Sequence, residues 1–229
     1  TGLPVGGGRP KGAQNVREAQ KVLDLAKRRF KPNFLQSYFA AMIALEKRDF
    51  DQALEDLRRA ETIAKNADPT RLNHILYFQM GTTAERAGKF KEAEKYFRQS
   101  IEKKPDYATA LNYLGYMWAD RNENLDEATK LVTRALKEDP DNAAFLDSMA
   151  WIFYRKGDLK EALKWQLKAM KNSKEDDPEL LMHLGEMYHA LKDDVKARKY
   201  FEQAKGVKDL DADIKAKIEK QLKSLDKKK

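Results

Sequence analysis

The sequence predicts an all-α chain built as a solenoid of tandem helix hairpins, and three observations carry that prediction. A pattern of large and small residues recurs five times, starting near Phe34, His74, Ala108, Ala143 and Pro178. Self-similarity at a period of roughly 34 residues marks a repeat architecture. Each copy also carries small residues at two fixed places. These are Gly or Ala at the eighth position (Ala41, Gly81, Gly115, Ala150, Gly185) and Ala at the twentieth (Ala53, Ala93, Ala128, Ala162, Ala197). Small residues facing each other let a first helix, A, lie close against a second, B, while larger residues fill the layer between. Third, helix-capping residues fall at matching places in the copies.

The clearest copy has Leu111, Leu114, Gly115 and Trp118, then Ala128, Val132, Ala135 and Pro140, with one extra residue in the turn between its helices. Upstream, Tyr77, Met80, Gly81 and Ala84 lead into Ala93, Phe97, Ser100 and Pro105. Downstream, Leu146, Met149, Ala150 and Phe153 lead into Ala162 and Ala169. The last copy has Leu181, Leu184, Gly185 and Tyr188, then Ala197, Phe201 and Ala204. The first is the weakest, with Ala40, Ala41 and Ala44, then Ala53, Leu57 and Ala60. The repeats are bounded at 34–67, 74–107, 108–142, 143–176 and 178–211.

Local punctuation supports this register. Asp49 with Gln52, Asn124 with Glu127, and Asp158 with Glu161 have the spacing of an N-cap and its reciprocating residue. Gly88 and Gly157 fall just past A helices, where a left-handed residue is favoured. Asp68-Pro69 and Asp177-Pro178 each set a cap before a proline at the first helical position. The second A helix is therefore expected to start near Pro69 and to run about a turn longer than its neighbours.

The ends differ. In a half repeat at 15–32, Ala19, Leu23 and Ala26 repeat the spacing of a B helix, but no A helix is expected before it. Residues 1–14 have the composition of a flexible Gly/Pro-rich linker, which makes the array part of a longer solenoid or leaves the lone helix as its cap. At the other end, 15–211 gives way to a capping helix at 212–226, with Ile214, Ile218, Leu222 and Leu225 on one stripe, and to a basic tail at 227–229.

Composition narrows the function. No apolar run approaches the roughly 18 residues of a membrane span. With no cysteine, the chain has no thiolate chemistry and no cysteine zinc site. The net charge of +8 comes from 45 basic and 37 acidic residues. Most of the lysines fall on B helices, such as Lys89, Lys91, Lys95, Lys160, Lys164 and Lys168, and at the ends, and are read as a solvated face. His183 and His189 are six apart, not the i, i+4 spacing that puts two metal ligands on one face. Asp209, Asp211 and Asp213 lack the Gly and Glu that complete a calcium loop. Gly6 to Gly12 lacks the ending of a phosphate loop. No catalytic residue, cofactor or metal is expected.

The residues of the clearest copy follow the pattern of the tetratricopeptide repeat, so the chain resembles that family. The resemblance implies a right-handed α-solenoid whose A helices line a concave groove that holds another protein. The A-helix positions that turn inward give Phe78, Asn112, Tyr113, Tyr116, Asp147, Trp151, Tyr154 and His183 as candidate groove contacts. Tyr113, Tyr116, Trp151 and Tyr154 cluster on adjoining repeats as apolar anchors. Asn112 and Asp147 share one position in successive repeats, from which each could hold an extended backbone.

Chaperone-binding members grip a C-terminal carboxylate with Lys, Asn and Arg. Here the corresponding places hold Tyr38, Met42, Gln79, Thr109 and Tyr113, or, one repeat later, Phe78, Thr82, Tyr113, Ala144 and Ser148. That clamp is absent, which argues against chaperone tails. Leu111 to Tyr116, Asn124 to Ala128, Leu146 to Trp151 and His183 to Glu186 are similar to the C-terminal part of large bacterial multi-repeat proteins, some of them lipoprotein-type or exported. That similarity favours the bacterial envelope over the cytoplasm. The expected function is a non-enzymatic scaffold that binds a partner peptide or amphipathic helix. The alternatives are a nucleic-acid-binding solenoid using the basic surface, and self-association through the terminal helices.

Overall fold

The computed structural model describes residues 9–226, with side chains from residue 15 onward. All twelve longer elements among these residues are α-helices, and they divide into two compact units, residues 1–105 and 106–229.

The first unit holds α1 (Arg9–Arg29), α2 (Phe34–Glu46), α3 (Phe50–Ala67), α4 (His74–Arg86) and α5 (Phe90–Lys103). α1 begins at Arg9, so helix covers 9–14, where a linker is expected; residues 1–8 lie outside the described residues. Leu23 of α1 meets Ala40 and Ile43 of α2. Asn33 caps α2 by accepting from the Gln36 amide, and Asp49 caps α3 by accepting from the Gln52 amide. Ser100 Oγ donates to the His74 carbonyl at 2.7 Å, tying the end of α5 to the start of α4.

The expected early start of α4 does not occur. Pro69–Arg71 forms a separate 3₁₀ turn, and α4 opens at His74, where Asn73 Oδ1 accepts from the amides of Ile75 and Leu76. A cap that satisfies two orphan donors outweighs a proline that is merely compatible with helix. The extra length falls instead on α3, which runs 18 residues against 14 for α5.

The second unit holds α6 (Ala108–Asp120), α7 (Leu125–Glu138), α8 (Ala143–Arg155), α9 (Leu159–Asn172), α10 (Pro178–Ala190), α11 (Asp194–Lys205) and α12 (Ala212–Asp226). Asp158 caps α9 and Asp177 caps α10, the latter accepting from the amides of Glu179 and Leu180. Asn124 departs from expectation. It makes no side-chain cap bond and sits left-handed at φ 47°, in the turn that carries the extra residue. Ile218, Leu222 and Leu225 of α12 close the core over Leu181, Phe201 and Ala204, with Ile214 partly buried beside them. The basic tail at 227–229 lies outside the described residues.

Two details show how the repeat is held. The small eighth residue answers the residue at position 24 more than the alanine at position 20. A Cβ on Gly81 would stand 2.6 Å from the Phe97 ring, and one on Gly185 would strike Phe201. The left-handed residue after helix A also recurs in all five hairpins, as Arg48, Gly88, Asn122, Gly157 and Lys192. Only two of these are glycine, so Lys192 at φ 66° carries a Cβ penalty. Lys192→Gly is expected to stabilise the second unit by about 1 kcal/mol in denaturant melts. No gain would mean that the turn relaxes around the lysine.

Candidate functional site

Seven of the eight expected contacts lie on the A helices of the second unit. At the centre is Asp147, buried on α8. His183 of α10 places Nδ1 2.9 and 3.0 Å from its two carboxylate oxygens. Gln166 of α9 donates from Nε2 to Asp147 Oδ1 at 2.7 Å and to the Leu180 carbonyl at 2.9 Å. Three elements are thus joined through one carboxylate. Burial alone would depress the His183 pKa. The adjacent Asp147 charge and hydrogen bond, with Glu179 and Glu186 behind them, overcome that and raise it to about 9. His183 is therefore a cation at neutral pH, donating to Asp147.

Aromatic rings build outward from this pair. Trp151 stacks on the His183 ring with centroids 4.3 Å apart, and Tyr154 stacks on Trp151 at 4.9 Å. The Arg155 guanidinium lies 5.9 Å from the Trp151 ring centre, a cation–π distance. Tyr116 of α6 tilts against His183 and donates its hydroxyl to Glu179 Oε1 at 3.0 Å. Burial, reinforced by Glu179 and Asp147, holds the Tyr116 hydroxyl well above its ordinary pKa, so it stays a donor. Glu186 is raised by burial despite His183, and it accepts from Gln221 Nε2 of α12 at 2.6 Å.

The expected contacts separate into three groups. Asn112, Asp147, Trp151 and His183 are buried. Tyr116 and Tyr154 are half-buried, and Tyr113 is 41% exposed. Phe78 belongs to the first unit, half-buried with its ring 6.0 Å from Phe97. Asp147 does not offer its carboxylate to an extended backbone, because His183 and Gln166 occupy it. Sequence reasoning missed Gln166 and Glu179. Gln166 left a signal, since it holds the twenty-fourth position, where the other repeats place Leu57, Phe97, Val132 and Phe201. Glu179 left none, because its role depends on how α10 meets α6.

His183 is committed to Asp147, and the described residues hold no group of three or more His, Cys, Asp or Glu side chains that could hold a metal ion. The B-helix lysines are partly neutralised, with Lys164 paired to Glu161 and Lys168 to Asp141. No described helix is long and apolar enough to cross a membrane.

Comparison with known proteins agrees with the hairpin architecture. Family models described as tetratricopeptide repeat match residues 34–106, 78–143, 119–177 and 178–208. A TPR repeat-containing protein of Pseudomonas aeruginosa is 36% identical over 174 residues, 76% of this chain and 28% of that protein. The chain thus spans little more than a quarter of that relative's length. Among solved structures, a tetratricopeptide repeat protein from Parabacteroides merdae superposes with a TM-score of 0.73 at 17% identity, covering 95% of this chain and 78% of that one. PilW, described as a widely conserved type IV pilus biogenesis factor, gives 0.70 at 18% identity over 93% and 91%. A thermophilic protein from Thermus thermophilus gives 0.66 at 17% identity over 82% and 98%. At these identities the likeness to solved structures shows the fold alone.

Proposed function

The chain belongs to the tetratricopeptide repeat family, and we propose that it is a non-enzymatic scaffold whose A helices in the second unit hold a partner protein. The observation that carries this reading is the layered aromatic cluster. Trp151 and His183 are fixed by stacking and by the Asp147 ion pair, Tyr154 is half-buried on the outer face of Trp151, and Tyr113 is exposed on α6. A rigid, buried base beneath half-exposed tyrosines supplies contact area at small cost in side-chain entropy. The edges suit the apolar side chains of a peptide or an amphipathic helix.

Burial decides which substitutions test this. Trp151 and Tyr116 are built into the unit, so their removal would confound binding with stability. Tyr113→Ala with Tyr154→Ala instead removes outer rings. This double variant is expected to lose the proteins captured by the wild type, at least about tenfold by quantitative mass spectrometry, while its melting changes little. An unchanged set of captured proteins would count against the reading.

A further inference from the structure

Three positions that are apolar or aromatic in every later repeat are polar in the first. Two residues after the start of the A helix, where Leu76, Ala110, Phe145 and Leu180 stand, the first repeat has Gln36. One residue further on, in place of Tyr77, Leu111, Leu146 and Leu181, it has Ser37. Three residues after the alanine at the twentieth position, in place of Tyr96, Leu131, Trp165 and Tyr200, it has Asp56. The three come together. With Ala40 they line a cleft of about 710 Å³ among α1, α2 and α3, wholly within the first unit. An aspartate is shorter than the ring buried at Tyr96, and the difference leaves room at this place.

The floor of the cleft is fixed by hydrogen bonds. Gln36 and Asp56 are only 8% and 6% exposed. Gln36 Nε2 donates to the Ala26 carbonyl at 3.0 Å, which holds the side chain against the last turn of α1. Asp56 Oδ2 accepts from Gln52 Nε2 at 3.1 Å, while Oδ1 lies 3.7 Å from Arg59 Nη1, beyond hydrogen-bond range. Asp56 therefore keeps an oxygen for a further donor, and a buried carboxylate favours a cationic one. Around it, Arg59 is paired with Glu55 and Arg58 with Glu92. Lys27 also lines the cleft, is exposed, and makes no ion pair among the described residues. One buried carboxylate and one ammonium are left over.

We propose that this cleft binds a short zwitterionic peptide, with its N-terminal ammonium on Asp56 and its C-terminal carboxylate on Lys27. A ligand of one sign would meet a like charge at one end or the other, which disfavours a bare cation and a bare anion alike. The volume agrees, since small-ligand sites run from about 300 to 1,000 Å³. All the residues involved belong to the first unit, and the proposal does not depend on the scaffold reading of the second.

Isothermal titration calorimetry of the 229-residue chain compares trialanine with its C-terminal amide and its N-acetyl form. Trialanine is expected to bind at least about tenfold more tightly than either, because each capped peptide lacks one charge contact. Asp56→Asn should weaken trialanine at least about tenfold, and Lys27→Met should erase its advantage over the amide. Asp56→Tyr supplies the ring that Tyr96 and Tyr200 place at this position. It should abolish binding without lowering the melting temperature. The comparison of the three peptides uses the unaltered chain, so it stands even where a variant melts early. No saturable heat with trialanine, equal binding of all three, or binding that survives Asp56→Tyr would overturn the proposal. Tightest binding by the amide would overturn it as well, and would mark the cleft as a site for cations.

Discussion

Replacing Asp147 with alanine is expected to destabilise the second unit by about 3–5 kcal/mol, because burial then drives His183 to give up its proton and both the ion pair and its hydrogen bonds are lost. The same change removes one of the two acceptors of Gln166 Nε2 and leaves that N–H donor without its partner, while the bond to the Leu180 carbonyl remains. The pair also gives stability a pH dependence with a defined sign. The folded His183 pKa is raised from 6.5 to about 9. A histidine raised in the folded state contributes fully below its unfolded pKa, and the contribution is lost as pH rises through the folded value. Stability should therefore fall by about 3 kcal/mol between about pH 6 and pH 9.5. Asp147→Asn keeps an acceptor but removes the charge, so its denaturant midpoint should lie lower at pH 6 and change much less across that window. A variant as stable as the wild type, or one with the same slope, would mean that the ion pair contributes little.

Gly185→Ala is expected to cost about 1–3 kcal/mol, even though alanine is the better helix former, because the added Cβ meets the Phe201 ring at 2.5 Å. The α2–α3 hairpin already contains a milder solution, with Ala41 at the eighth position and Leu57 at the twenty-fourth, both fully buried. Adding Phe201→Leu to Gly185→Ala should therefore restore most of the loss, whereas Phe201→Leu alone should leave a cavity and destabilise. The two substitutions would then couple favourably in a double-mutant cycle. Simple additivity would show that the backbone shifts to admit the methyl group.

These two sites also mark where the sequence was legible. The register of hairpins follows from spacing, because Gly81 with Phe97 and Gly185 with Phe201 are local matches within one helix pair. Caps such as Asp158 and Asp177 were readable for the same reason: donor and acceptor lie within three residues. Pro69 misled because the stronger cap, Asn73, stands four residues later and competes with it. Asn124 misled because one inserted residue changes a backbone angle that composition does not report.

The candidate site was legible in composition but not in exposure. Sequence gathers Tyr116, Asp147, Trp151, Tyr154 and His183 on A helices. It does not show that Asp147 and His183 spend their polar groups on each other, or that Trp151 is covered by His183 and Tyr154. The contacts of His183 with Trp151 and Asp147 join residues 32 and 36 positions apart, beyond the reach of helical periodicity. Gln166 was the one available warning, a polar residue at a core position that demands a buried partner.

The most direct test of the scaffold reading is site-specific photo-crosslinking from position 113, set against position 195, where Val195 is also exposed but lies on a B helix. The account predicts a discrete protein adduct from a benzophenone side chain at 113 and none of that mass from 195. The same adduct from both positions, or an adduct from 195 alone, would contradict the assignment of the binding face to the A helices.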